Sequence, residues 1–147
     1  MDLSTMSVDT NRDTAVRYFN EVVGAGNLEL IEELVHPEAQ DLSGEWPAGR
    51  EGFREHISWF HSSFELEITI DRVIAGEEYA VVYWTVRGRH VGLAFGIEPS
   101  GKVVENSAIS TMRFRDGLIV EYEVMFNMIN LFVQLESLGS WAVYFSK

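Results

Sequence analysis

Glu123 and Asn127 stand four residues apart near the end of a segment that reads as a strand, and even spacing on a strand puts both side chains on one face. A carboxylate and an amide on one wall can respectively move a proton and orient a carbonyl, and a carboxylate withdrawn from water is fitted for acid or base work. His90 closes another long strand and can shuttle protons near neutral pH. His56 lies beside the apolar face of a helix, while His36 and His61 read as surface-turn residues. No two histidines have ligand spacing of the HExxH kind, so no metal is expected. The absence of cysteine excludes thiol nucleophiles, thiolate metal sites and disulfides.

These groups are positioned by a hairpin. Asp116-Gly117 is a strong two-residue turn signal between Val103 to Phe114 and Leu118 to Phe126. With that loop and an unbroken ladder, Asn106 faces Asn127, Ala108 faces Met125, Ser110 faces Glu123 and Met112 faces Glu121. A bulge would break this pairing. One face then carries Ile109, Val120, Tyr122, Val124 and Phe126, suited to tight packing or a dimer seam. The other mixes Asn106, Ser110, Glu121, Glu123 and Asn127 with Ala108, Met112 and Met125, as a ligand cavity requires, and it is assigned to the cavity.

Upstream, Thr10 or Asn11 can cap a first helix carrying Ala15, Phe19, Val22 and Val23 at helical spacing, ended by Gly24-Ala25-Gly26. Asn27 caps a second helix with Leu28, Ile31 and Leu34 on its stripe, stopped by Pro37. Ala39 to Trp46 reads as irregular, and Pro47 and Gly49 lead into a third helix with Phe53, Ile57, Phe60 and Phe64. Leu66 to Ile70 alternates as a strand, and Ala80 to Val86 is apolar on both parities, like a central one. Leu131 to Leu138 forms a last helical segment ending at Gly139, followed by an aromatic tail, Trp141 to Phe145. The expected fold class is α+β: a cone-shaped single domain in which three N-terminal helices pack in a strongly curved, mainly antiparallel sheet enclosing a pocket. Residues 1–10 are expected to form a flexible arm, 11–139 the domain and 140–147 the tail.

Composition narrows the function. The chain has 147 residues, 46% of them apolar, enough for one core and one pocket. A net charge of −12 disfavours nucleic acid and anionic membrane as partners. Met1 to Asp9 lacks the pattern of a signal peptide and no run of eighteen apolar residues occurs, so a cytoplasmic protein is expected. Eighteen aromatic residues, nine Phe, five Tyr and four Trp, are many for a small domain; most fill a core, and large flat side chains also wall cavities. Phe19, Trp46, Phe53, Trp59, Phe60, Met112 and Met125, with His56, Asn106 and Ser110, are the candidate substrate-binding residues.

Several segments resemble a known family: Val16 to Gly26, Leu28 to Pro37, Gly49-Arg50-Glu51-Gly52-Phe53, Gly96-Ile97 with Pro99 to Gly101, Phe114 to Glu121, and Gln134-Leu135. Together they are similar to the SnoaL-like polyketide cyclases of the nuclear transport factor 2-like, or ketosteroid isomerase-like, superfamily. The resemblance implies an α+β cone, a homodimer, a deep cavity for a small-molecule polyketide substrate, and no metal or organic cofactor. It also implies an acid/base aspartate near the end of the last strand, a position that falls on Asn127. An amide cannot abstract a proton. A family tryptophan four residues earlier falls on Glu123, one on the opposed strand on Asn106, and a histidine after the second helix on Leu42. The isomerase pattern fails too, with its helix-one tyrosine at Phe19, one step from Tyr18, and its base near Ser43.

Asn127, Glu123 and His90 are therefore the candidate catalytic residues. The favoured reading is a cofactor-free cyclase that folds a polyene or polyketone for ring closure, most naturally a pericyclic cycloaddition assisted by the Asn127 and Asn106 amides. The alternatives are an acid/base aldol-type cyclase or tailoring hydroxylase using Glu123 or His90, and a non-catalytic ligand-binding accessory protein.

Overall fold

The computed structural model describes residues 3–136. The predicted helix end at Gly139 and the tail from Trp141 to Phe145 lie outside the described residues.

Helix α1, Leu3–Arg17, continues as a wider π-helical stretch, Tyr18–Gly24. It starts upstream of Thr10, so residues 3–10, assigned above to an arm, are helical. The widened turns bury Tyr18, Phe19, Val22 and Val23 together, and Ala25 N–H reaches back to Asn20 O at 3.2 Å. A short 3₁₀ turn, Leu28–Leu30, leads to α2, Ile31–Leu34; the Asn27 side chain makes no capping bond there.

The second helix ends before the expected Pro37 stop, and the chain from there into the segment read as irregular forms a strand. Strand β1, Val35–Asp41, adds to the sheet edge parallel to β5, Leu118–Phe126, with Asp41 beside Tyr122. Its inward positions are Val35, Ala39 and Asp41. Helix α3, Arg50–Ser63, follows, then β2, Phe64–Ala75, β3, Tyr79–His90, β4, Val103–Arg115, and, after β5, helix α4, Met128–Gln134. The sheet order is β1-β5-β4-β3-β2: β2 to β5 form an antiparallel meander and β1 adds a parallel fifth strand at its edge, giving a mixed sheet. The α+β class holds.

Asp116 and Gly117 form the predicted turn, both at positive φ (53° and 77°). The ladder above it is interrupted. Phe114 pairs with Ile119, but Arg113 pairs with Glu121, leaving Val120 as a bulge. Beyond it Thr111 faces Glu123, Ser110 faces Val124 and Ala108 faces Phe126. One extra residue reverses the parity of a strand. The β4 half of the predicted cavity face stands, with Asn106, Ala108, Ser110 and Met112 buried, whereas in β5 Tyr122, Val124 and Phe126 turn inward and Glu123 and Met125 turn out.

The narrow end of the cone is solid. Phe19, Phe53 and Met112, expected to wall a hollow, are fully buried in the core with Tyr18, Trp84 and Tyr122. Their rings meet at centroid distances of 5.3 Å (Phe19–Trp84) to 6.4 Å (Phe19–Tyr122). Ser110 is core as well: its Oγ accepts from Trp84 Nε1–H at 3.0 Å and bonds Tyr122 Oη at 3.0 Å. Open space is displaced to the wide end, between α3, the loop after β1 and the end of β5.

Candidate active site

Three elements meet at that wide end. Helix α3 turns Phe53 and Ile57 into the core, which leaves His56 and Trp59 on the adjoining face. The loop after β1 lies flat on the start of α3 because residue 52 is glycine; a Cβ there would stand 2.1 Å from Pro47 O and 3.3 Å from Trp46 Cβ. This approach stacks Trp46 on His56, centroids 4.6 Å apart and planes within 16°. Arg50 fixes the start of the helix by donating from Nε to Val35 O (2.8 Å) and from Nη1 to Glu32 (2.9 Å).

His56 Nδ1 is 2.6 Å from Asp41 Oδ2, and Asp41 Oδ1 accepts from the backbone N–H of Ser43 at 2.9 Å. The Asp41 side chain is 1% exposed and that of His56 14%. A carboxylate can only accept, so Nδ1 carries the hydrogen, and in the neutral ring Nε2 is the nitrogen with the lone pair. The ring lines a cavity of about 640 Å³ together with Ser43, Trp46, Trp59, Phe95, Phe126 and Met128, among others. A buried acid, an oriented imidazole and an Nε2 lone pair are the parts of a general base. Behind them lie two phenols. Burial raises Tyr18 well above its ordinary range, with Tyr122 and Asp41 adding to it; burial also raises Tyr122, partly offset by its bond to Ser110. Both remain protonated donors.

Of the residues singled out from sequence, Trp46, His56 and Trp59 line this cavity, and Phe60 packs behind them between Trp84 and Phe126. Glu123 does not reach it: the bulge turns it outward, where it is exposed beside Thr111. Met125, turned the same way and 67% exposed, contributes only to the rim. Asn127 is exposed and caps α4, its Oδ1 accepting from Asn130 N–H at 3.0 Å. Its carbonyl accepts from Asn106 Nδ2 (3.1 Å), and Asn106 Oδ1 accepts from Asn130 Nδ2 (3.1 Å), so the two amides anchor the start of α4. His90 is buried away from the cavity; its Nδ1 accepts from Ser100 N–H at 3.2 Å and lies 2.9 Å from Ser100 Oγ.

Sequence reasoning missed Asp41, Ser43, Phe95, Phe126 and Met128. Asp41 left a signal, an acid on the inward parity of Val35 and Ala39. Among the described residues no cluster of three or more His, Cys, Asp or Glu is placed to hold a metal ion, and no helix is long and apolar enough to cross a membrane.

Comparison with known proteins agrees with this architecture. A family model described as SnoaL-like polyketide cyclase matches residues 13–135. Aklanonic acid methyl ester cyclase AcmA of Streptomyces galilaeus is 27% identical over 110 residues, 71% of this chain and 76% of that protein. Nogalonic acid methyl ester cyclase of Streptomyces nogalater is 24% identical over 102 residues, 66% of this chain and 76% of its own. The structure of TsrD from Streptomyces laurentii superposes with a TM-score of 0.78 at 26% identity, covering 92% of this chain and 99% of that one.

Proposed function

Because the chain belongs to the SnoaL-like polyketide cyclase family, we propose that it closes a ring in a polyketide by acid/base chemistry, with His56 as the base and Asp41 as its orienting partner. The observation that carries this reading is the 2.6 Å Asp41–His56 contact on the cavity wall. His56 Nε2 takes the proton from a carbon flanked by carbonyls, and Asp41 stabilises the imidazolium. The resulting enolate carbon attacks a second carbonyl of the same molecule, forming the C–C bond, and the imidazolium returns the proton to the new alkoxide. The closure is redox-neutral, so this chemistry calls for no cofactor. The aldol-type alternative thus gains ground over cycloaddition, but with a different base from Glu123 or His90.

A pericyclic closure is the second reading, favoured by the aromatic walls at Trp46, Trp59, Phe95 and Phe126, which can fold a polyene without charge. The test is incubation with aklanonic and nogalonic acid methyl esters, the compounds for which the two relatives are named, in deuterated water. Base chemistry predicts exchange at the acidic carbon and a loss of about 10²–10⁴ in rate for His56→Gln. Cycloaddition predicts no exchange and an indifferent variant, and a ligand carrier predicts binding without product. Homodimerisation is proposed through the outward sheet face, where Ile109 and Met125 are exposed; light scattering on Ile109→Glu tests it.

A further inference from the structure

A second, smaller space lies behind the cavity. Trp59, Phe95, Phe126 and Met128 wall both, so they form a threshold between an outer chamber and an inner one. The inner chamber is bounded by Phe64, Val86, Val104 and Leu131, and its free volume is about 30 Å³. Its one polar side chain, Asn106, is engaged by Asn127 and Asn130. A water needs roughly 10–15 Å³ and two to four polar partners, so this pocket has room for one or two atoms but little to hold water with.

The threshold is held in place at a cost. Ala94 and Ile97 exchange backbone bonds (3.1 and 2.8 Å), making Phe95-Gly96 a two-residue turn with φ of 51° and 75°. Such turns favour Asn-Gly, and a bulky residue is disfavoured in the left-handed region. The strained position puts the Phe95 ring edge-on to Trp59, centroids 5.3 Å apart, at the boundary of the two chambers. Strain of this kind persists where the side chain is needed.

We propose that the inner chamber receives a short apolar terminus of the substrate, one or two carbons beyond the threshold, while the reacting carbonyls lie at His56. The proposal rests on the cyclase reading for the identity of the ligand, but it is tested by binding alone. The probes are 2-acetyl-, 2-propanoyl-, 2-butanoyl- and 2-hexanoylnaphthalene, titrated by tryptophan fluorescence and calorimetry. Affinity should rise about fourfold per added carbon for one or two steps, the gain from burying a methylene, and then stop. Val104→Phe should flatten the series, and Leu131→Ala should extend it by at least one carbon, a gain that misfolding cannot produce. A flat series in the native protein, a rise continuing through hexanoyl, or a series indifferent to Val104→Phe would overturn the proposal. His56→Gln should leave the series intact, so a failure of the base reading is seen in turnover and a failure of the chamber in chain length.

Discussion

Asp41→Asn switches the base off without moving an atom. Asp41 Oδ1 accepts from Ser43 N–H, a fixed backbone donor, so an asparagine must present its carbonyl oxygen there. Its NH₂ then faces His56 Nδ1 where Oδ2 stood at 2.6 Å. Two donors cannot meet, so Nδ1 becomes the acceptor and the ring proton moves to Nε2, which can no longer take one from substrate. Losing a general base costs about 10²–10⁴ in rate, or roughly 3–5 kcal/mol of barrier. Folding loses much less. Both hydrogen bonds survive and only their charge assistance goes, about 1 kcal/mol, or roughly 2–4 °C in Tm for a chain of this size. The assay is kcat and KM on the two methyl esters, with melting curves alongside. The loss should fall in kcat with KM little changed, and Asp41→Asn/His56→Gln should lose no more than His56→Gln alone, because the pair acts as a unit. Near-native turnover in Asp41→Asn, or a collapse of Tm, would refute the assignment and make the pair a structural contact.

Tyr18 and Tyr122, raised above their ordinary value of 10.0, ionise first in the unfolded chain. Their stabilisation is therefore complete below pH 10 and lost as pH rises beyond it, at up to about 1.4 kcal/mol per pH unit each. Urea melts at pH 9 and 11 should show this, and Tyr18→Phe/Tyr122→Phe should remove that component. Ser110→Ala orphans Trp84 Nε1 and one bond of Tyr122, so it should cost about 1–3 kcal/mol in denaturant melts while leaving KM unchanged. Asn127→Ala should cost about 1 kcal/mol through the lost cap of α4. Asn127→Asp should restore that stability, and neither should change turnover, the reverse of what a catalytic amide would give.

The fold was legible where a local pattern decides it: the apolar stripe of α3, the Asp116-Gly117 turn and the alternation of β4. Two features were not. The bulge at Val120 hides in three consecutive apolar residues, Leu118 to Val120, which look the same whether the strand continues or slips by one. The inward placement expected for Glu123 and Met125 depended on an unbroken ladder there. Strand β1 contains Pro37 and only short apolar side chains, and what makes it a strand is the edge of β5, about eighty residues away in sequence and invisible to any window. Asp41 was lost with it, and so was its contact with His56. His56 was marked as a binding residue from its helix, but its partner could be found only in three dimensions.

That remote pairing has a consequence for how the protein comes into being. Asp41 and His56 are close in sequence, yet β1 has no strand to pair with until β5 is made, about eighty residues later. A chain stopped before Leu118 holds both groups but lacks the strand that β1 pairs with. The Asp41–His56 contact therefore gains its sheet setting only once β5 is in place.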